Sequence, residues 1–501
     1  MKKREIVVVG AGIAGLTSAA ILSKIGFAVT LIESHSQSGG CAGTFKRKKY
    51  IFDVGATQVA GLEDEGIHSK IFDFLAIPIP EASILDPACI VDLNDGKSPI
   101  HLWYEKKNWI KERELQFPGS QKFWQLCALI DESNWKFANK NPVIPFRNVW
   151  DLSQLIKALT PLNLLSGLLI RSSMFDLLKL SGCHHDQRLI KFLNLQLKLY
   201  SQEDVYETAA LYGCTVLHMG QKPRGLFHLN HSMQALSNAL EESLKKTKAD
   251  IVFGQKVQSI RFDRLNQLWR VYSLSNKGKH EYLTKDIVYT LPPQSLLTHL
   301  DDDMNVLGKY KSMIKNLPKP NGALVFYSAI ESKNLNKLIA NHYQFVHEEL
   351  GSLFISISND GDGRAPIGQV TLIASVFTQT NDWIDLDKES YQYKKEEFLF
   401  KISKAIEIQF SISHEEWLHR ELATPLGFQR WTNRPNGIVG GLGQNPRTFG
   451  LLGLASRTPI KGLWLCGDSI YPGEGTAGVS HSALMVARQI VHANGVDNFN
   501  F

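Results

Sequence analysis

Residues 6–15, IVVVGAGIAG, restrict the fold of this chain more than any other stretch. The β-branched run Ile6–Val9 leads straight into Gly10, Gly12 and Gly15 at G-x-G-x-x-G spacing, and a helical pattern over residues 13–24 follows at once. Strand, glycine turn and helix in this order seat a dinucleotide. Gly10 lets the chain turn out of the strand, Gly12 lets a diphosphate approach bare backbone, and Gly15 lets the helix pack close to the sheet, while the helix start turns its free N–H groups to the anion. Ala14, in that first turn, is counted with them as a cofactor contact. A second strand, residues 28–32, ends at Glu33, within a few residues of the usual place for a carboxylate that accepts hydrogen bonds from the adenosine ribose. Lys2, Lys3 and Arg4 before the apolar run, with small residues at 18–20, also satisfy the loose form of a signal sequence. A signal peptide needs no glycines at this spacing, so residues 1–30 are expected to stay in the mature protein.

The rest of the composition narrows the class. At 501 residues and 44% hydrophobic content the chain can bury at least one large core, with two or three domains as a prior from length. Six cysteines (Cys41, Cys89, Cys127, Cys183, Cys214, Cys466) are scattered without a C-x-x-C pair or metal-ligand spacing, as reduced thiols of an intracellular protein would be. A net charge of +6 without a long basic run gives no nucleic-acid site but is compatible with an anionic membrane surface. No Ser/His/Asp, H-E-x-x-H or paired-Cys constellation stands out, and no metal site is expected.

Whether the cofactor is NAD or FAD is decided elsewhere, because both present an ADP half to the same fingerprint. After Glu33 comes SHSQSGGCAGTF, in which Gly39, Gly40 and Gly43 make a second glycine surface, then FDVGATQ with Asp53 and Gly55. Residues 462–490, GLWLCGDSIYPGEGTAGVSHSALMVARQI, read as a strand at 463–466, a loop with Gly467 and Asp468, a Pro472-Gly473 turn, and a helix from about Thr476 preceded by Gly475 and followed by Gly478. A carboxylate at a strand end suits ribityl hydroxyls, and a glycine loop opening a helix sets a positive dipole against an electron-rich ring. An NAD enzyme needs no such second site.

These segments together resemble the flavin-dependent carotenoid desaturases and isomerases, within the amine oxidase and phytoene dehydrogenase superfamily. The likeness rests on GAGIAG with Glu33, SGGCAGTF with FDVGA, and GDSIYPGEGTAGVSHSALMVARQ. Weaker support comes from PRGLFHLNHSMQALSNALEESL (223–244), GQKVQSI (254–260) and TPLGFQRWTNRPNGIVGGLGQNPRTFG (424–450). It implies that Val257 meets the adenine through its backbone. His231 and Ser232 stand where the family pairs two glycines. The implied fold is α/β, a Rossmann-like FAD-binding domain interleaved with an α+β substrate domain. The FAD domain would draw on 1–70, 215–300 and 440–501; 71–214 and 301–439 would form the substrate and membrane-contacting domain.

Residues 151–180, with leucines at helical spacing edged by Lys157, Arg171 and Lys179, are too short an apolar run to span a bilayer, and Pro161 interrupts them. They are the candidate for peripheral membrane contact, which a polyene substrate would need: moving forty carbons through water costs on the order of 30 kcal/mol. The resemblance implies a carotenoid desaturase, nearest the cyanobacterial C-3',4' branch, passing electrons from FAD to an acceptor such as a quinone. The alternatives are a cis-carotene (prolycopene) isomerase using reduced FAD, an amine oxidase, or a non-catalytic scaffold for lipidated partners of the kind formed by Rab GDP-dissociation inhibitors. Glu474, in the Pro-Gly-Glu-Gly loop, is the acid nominated as proton acceptor; an ordinary solvated loop carboxylate is its plainer role.

Overall fold

A computed structural model describes residues 2–3, 5–300, 308–335, 337–496 and 501, with backbone only at 2 and 3. Arg4 of the basic start, and 301–307 of the expected substrate segment, lie outside the described residues. The strands Ile6–Val9 and Val29–Ile32 pair in parallel, and Asp250–Val252, Asp286–Tyr289 and Leu463–Leu465 complete a five-stranded sheet with Ile6–Val9 at its centre. A parallel sheet is covered on both faces, and the alternation along Ile6–Val9 shows it. Ile6 and Val8 pack with helices Ile13–Ile25, Gln234–Lys245 and Thr476–Ala493. Val7 and Val9 pack with Val257, Trp269 and Val271 of the antiparallel meander Lys256–Asp263, Leu268–Ser275 and Gly278–Thr284.

The first helix runs one residue beyond the expected end and stops at Gly26 in the left-handed region, φ 117°. The two predicted strands are each one residue shorter, beginning at Val29 and ending at Leu465; strand ends fray to this degree between assignments.

The second body centres on a seven-stranded sheet in the order Trp417–Ala423, Gly322–Glu331, Gln369–Thr378, Gly351–Ile357, His342–His347, Ile90–Asp92, Ile100–His101. Its one parallel pairing joins His342–His347 to Ile90–Asp92. Helix Lys388–Phe410 buries Ile402, Ala405 and Ile406 against one face. On the other, Ala323, Val325 and Tyr327 meet Tyr50 and Phe52 of the hairpin Thr44–Arg47/Tyr50–Asp53. Helices Gln121–Ala138, Met174–Ser181, Gln187–Ser201 and Ala210–His218 cap this body around a third apolar core. A small sheet sets Leu226–Leu229 between Val59–Ala60 and Ala82–Ile84, so chain on both sides of residue 70 shares hydrogen bonds.

Pro161 does interrupt the leucine-rich stretch, but as a start as well as a stop. Helix Val149–Ala158 ends before it, and Pro161 opens helix Pro161–Ser166, with Thr160 and Asn163 forming a capping box.

Candidate functional site

One cavity of about 1440 Å³ runs between the two bodies, and the three glycine-bearing segments meet on its wall. Gly10, Gly12 and Ala14 reach it from the first turn, Glu33 from the second strand end, Gly39, Gly40 and Gly55 from the second segment, and Gly467, Asp468, Glu474, Gly475 and Gly478 from the C-terminal one; Val257 joins them from the meander. Two glycines named with these are not on the wall. At Gly15 a Cβ would lie 1.8 Å from the Gly10 carbonyl oxygen, so this glycine serves the contact of helix on turn, and Gly43, whose N–H donates to Gly40 O, shapes the second loop from behind.

The residues present fit a dinucleotide carrying a flavin. Helices Ile13–Ile25 and Thr476–Ala493 both begin at the cavity, at Gly12 and Gly475, and neither has a side-chain cap or an acidic residue in its first turn. Two uncapped N-termini in one cavity present unclaimed N–H groups and positive dipole ends, one suited to a diphosphate and the other to an electron-rich ring. Gly12 has nothing within 4 Å of a Cβ position, so a side chain there would take up open space in the cradle.

The carboxylates are held in place by the chain. Glu33 Oε2 accepts from Ala11 N (2.7 Å) and Oε1 from His35 N (2.7 Å), which fixes it at the strand end with lone pairs to spare. Asp468 Oδ2 accepts from Arg434 Nη2 at 2.8 Å. Arg434 also donates to the Ile438 and Gly440 carbonyls, and although burial works against its charge, Asp468 beside it keeps it firmly protonated. Burial pushes the Cys41 thiol up. Asp53 turns away from the cavity: its oxygens take Met233 N (2.8 Å) and the Arg364 guanidinium (3.2 and 3.1 Å).

Glu474 is not a solvated loop carboxylate. It lines the cavity half-buried, with Oε1 shielded, and burial first and the Asp468 charge next push its carboxyl up to about 8, against the lowering effect of Gln202, Gly441 N–H and Arg434. Tyr212, Phe449 and Tyr471 stand in ring contact beside it, at centroid distances of 5.4 and 5.8 Å, and give this part of the cavity an apolar wall.

Arg434 and Gln202 were not singled out by sequence reasoning. Their partners Asp468 and Glu474 lie 34 and 272 positions away, so no local spacing marks them. The extra feature at the dinucleotide end is a clasp: Asn433 Nδ2 donates to Ser34 Oγ at 3.0 Å and Trp431 meets the His35 ring edge-on at 5.6 Å.

Residues 8–75 match the family model of the NAD(P)-binding Rossmann-like domain. The chain is 23% identical to the chloroplastic prolycopene isomerase of Arabidopsis thaliana, over 98% of this chain and 83% of that protein. It is 22% identical to the all-trans-retinol 13,14-reductase of Danio rerio, over 98% and 86%. Among solved structures it superposes on a triple mutant of putrescine oxidase with a TM-score of 0.66 at 16% identity, covering 99% of both chains. It superposes on cyclohexylamine oxidase from Brevibacterium oxydans with a TM-score of 0.59 at 14% identity, covering 97% of this chain and 99% of that one. The chain thus has the fold of these amine oxidases, with a Rossmann-like dinucleotide-binding domain over residues 8–75.

Proposed function

We propose that this chain is an FAD-dependent enzyme that desaturates a carotenoid, adding the C-3',4' double bond near one end of an acyclic or monocyclic polyene. The observation that carries the reading is Glu474: a carboxyl that ionises at about 8, inside a cavity with an apolar wall and next to the segments that frame the cofactor. Desaturation removes two hydrogens from adjacent carbons, one with its electron pair and one as a proton. The chemistry that FAD supplies when bound is acceptance of the hydride, its electron pair then going to an acceptor such as a quinone. The chain's part is to receive the proton on Glu474, hold the polyene along Tyr212, Phe449 and Tyr471, and keep water out.

Glu474→Gln keeps size and polarity but cannot accept a proton, so turnover of lycopene or γ-carotene in quinone-containing vesicles is expected to fall about 10²- to 10⁴-fold with FAD retained. In the wild type the rate rises about tenfold per pH unit below 8 and levels off above it, because the ionised form is the acceptor. Stability runs the other way. A carboxyl raised in the folded state contributes stability that is fully present below its unfolded value and lost as pH rises through about 8. The variant is therefore expected to match the wild type in Tm at pH 4 and exceed it at pH 9. Full desaturation by Glu474→Gln would overturn the assignment.

A second reading is favoured by the near full-length likeness to prolycopene isomerases. Isomerisation moves no net electrons and needs no proton acceptor. Conversion of poly-cis to all-trans carotene under reducing conditions, with no red-shifted product when a quinone is supplied, would decide for it.

Substrate of this kind has to come from a bilayer, and we place the peripheral docking face in part of residues 151–180. Leu164, Leu165 and Leu168 are 63%, 65% and 81% exposed, while Asn163, Ser166, Gly167 and Ile170 from the same turns line the cavity. Exposed leucines on the outside of a cavity wall, edged by the exposed cations Lys157, Arg171 and Lys179, suit an interfacial contact. Leu169 packs on the helical core and takes no part. Among the described residues no helix is long and apolar enough to cross a membrane. Replacing Leu164, Leu165 and Leu168 by Ser is expected to abolish co-flotation with vesicles containing anionic lipid at unchanged Tm; co-flotation as in the wild type would put the docking face elsewhere.

A further inference from the structure

The two oxygens of Glu474 have different surroundings. Oε2 accepts from Gln202 Nε2 at 3.0 Å and from Gly441 N at 3.1 Å, whereas Oε1 is buried and has no hydrogen-bond partner among the described residues. Gln202 is itself fixed from three directions. It caps helix Gln187–Ser201 in the left-handed region at φ 63°, its Nε2 also donates to Gly441 O at 3.1 Å, and its Oε1 accepts from Asn321 N at 3.2 Å. The amide orientation follows from those partners, since the oxygen faces an N–H and the nitrogen faces two oxygens. Neighbouring backbone leaves no slack: a Cβ on Gly440 would lie 2.0 Å from Glu474 Oε2 and 2.1 Å from Gln202 Nε2.

We infer that Gln202 is a positioning residue that assigns the two oxygens of Glu474 their roles, holding Oε2 as a double acceptor so that the proton taken from substrate lands on Oε1. This rests on the reading of Glu474 as proton acceptor. A neutral carboxyl has one hydroxyl and one carbonyl oxygen, and the carbonyl is the stronger acceptor, so two N–H donors on Oε2 favour the form in which that oxygen is the carbonyl. The same donors favour the carboxylate when the proton leaves, so Gln202 also tunes the pH at which the acceptor is ready. The other groups that bear on this ionisation are Asp468, which opposes it, Arg434, which favours it, and Tyr212, which is neutral throughout the working range.

The test compares wild-type holoenzyme with Gln202→Met, which keeps chain length and removes both hydrogen-bonding functions. Two measurements are made: infrared pH-difference spectra and the pH profile of lycopene desaturation in quinone-containing vesicles. The Glu474 carbonyl band is identified as the one that Glu474→Gln removes. In Gln202→Met that band is expected at higher wavenumber, having lost a donor, and its disappearance on ionisation is expected about one pH unit higher, with about tenfold lower turnover at pH 7 and unchanged FAD content. Gln202→Glu, isosteric and polar, covers the case in which the Met variant does not fold: a second carboxyl sharing its proton with Glu474 also moves the midpoint up. An unmoved band and midpoint in whichever variant folds overturn the role of Gln202. Full turnover in Glu474→Gln instead overturns the proton-acceptor reading itself, and the band shift then stands apart from catalysis.

Discussion

Gly12→Val is expected to give a folded protein that no longer retains FAD, whereas Gly15→Val is expected not to fold. The two glycines are three residues apart in one motif, and what surrounds them separates their roles. Gly12 has extended backbone, φ −69° and ψ 176°, which valine adopts readily, and among the described residues nothing stands within 4 Å of its Cβ position. The added methyls therefore project into the cavity and meet the cofactor instead of the protein. Overpacking of this kind costs about 1–3 kcal/mol, which taken from binding is about a five- to 150-fold loss. At Gly15 the Cβ would sit 1.8 Å from Gly10 O and 3.0 Å from Gly10 C. Those are backbone atoms at the end of the central strand, so relief requires the buried helix Ile13–Ile25 to lift off the sheet it packs against, exposing Leu16, Ile21 and Leu22. Flavin absorbance after gel filtration and a thermal melt separate the two outcomes; flavin retained by Gly12→Val would place the diphosphate elsewhere.

How far the sequence reached follows from the range of the interactions involved. The strand–turn–helix unit is set by neighbours in the chain: β-branched residues, glycines where backbone must approach backbone, and an apolar helix buried around most of its circumference. Every part of it is visible in twenty residues. The same holds for the C-terminal loop and helix, where Gly475 at φ 87° and the uncapped start at Thr476 leave a local signature. Pro161 was readable as a break but not as the first residue of the next helix, because that depends on Thr160 and Asn163 closing a capping box around it.

Contacts between distant segments were not legible. Asp468 could be picked out as a carboxylate at a strand end, yet its partner Arg434 lies in another segment and only the fold brings them together. Glu474 could be nominated as proton acceptor from its place in the Pro-Gly-Glu-Gly loop, with an ordinary loop acid as the plainer reading, but burial, the cause of its raised ionisation, is a property of the tertiary structure. Asp53 shows the converse: it stands in the second glycine-bearing segment, next to Gly55 on the cavity wall, yet turns inward.

That inward turn carries the second large effect, expected of Arg364→Met. Arg364 is 2% exposed, and its Nε and Nη2 donate to Asp53 Oδ2 while Nη1 donates to Asp362 Oδ2 (2.7 Å) and Leu229 O (3.0 Å). His228 Nε2 stands 2.9 Å from Asp362 Oδ2. One guanidinium thus joins the hairpin that leads to the cavity, the strand Leu226–Leu229 and the loop beyond Gly351–Ile357. Burial raises the Asp53 carboxyl even with Arg364 present; for Asp362 burial opposes ionisation, but His228 and Arg364 hold it low. Taking away the arginine leaves two carboxylates in the interior with one histidine between them, and breaking a buried pair in this way costs about 3–5 kcal/mol. Little folded protein should accumulate, and what does fold should be less damaged at pH 5 than at pH 8: the stranded carboxyls are raised further, so the stability they permit is present at low pH and lost as pH rises. Adding Asp53→Asn to Arg364→Met removes one stranded charge and is expected to recover part of the loss, although Asp53→Asn alone destabilises the wild type. A double-mutant cycle read by thermal melts checks the sign of that coupling. Simple additivity would mean that the ion pair does not tie the hairpin to the second body, and that the apolar contacts of Tyr50 and Phe52 with Val325 and Tyr327 do so alone.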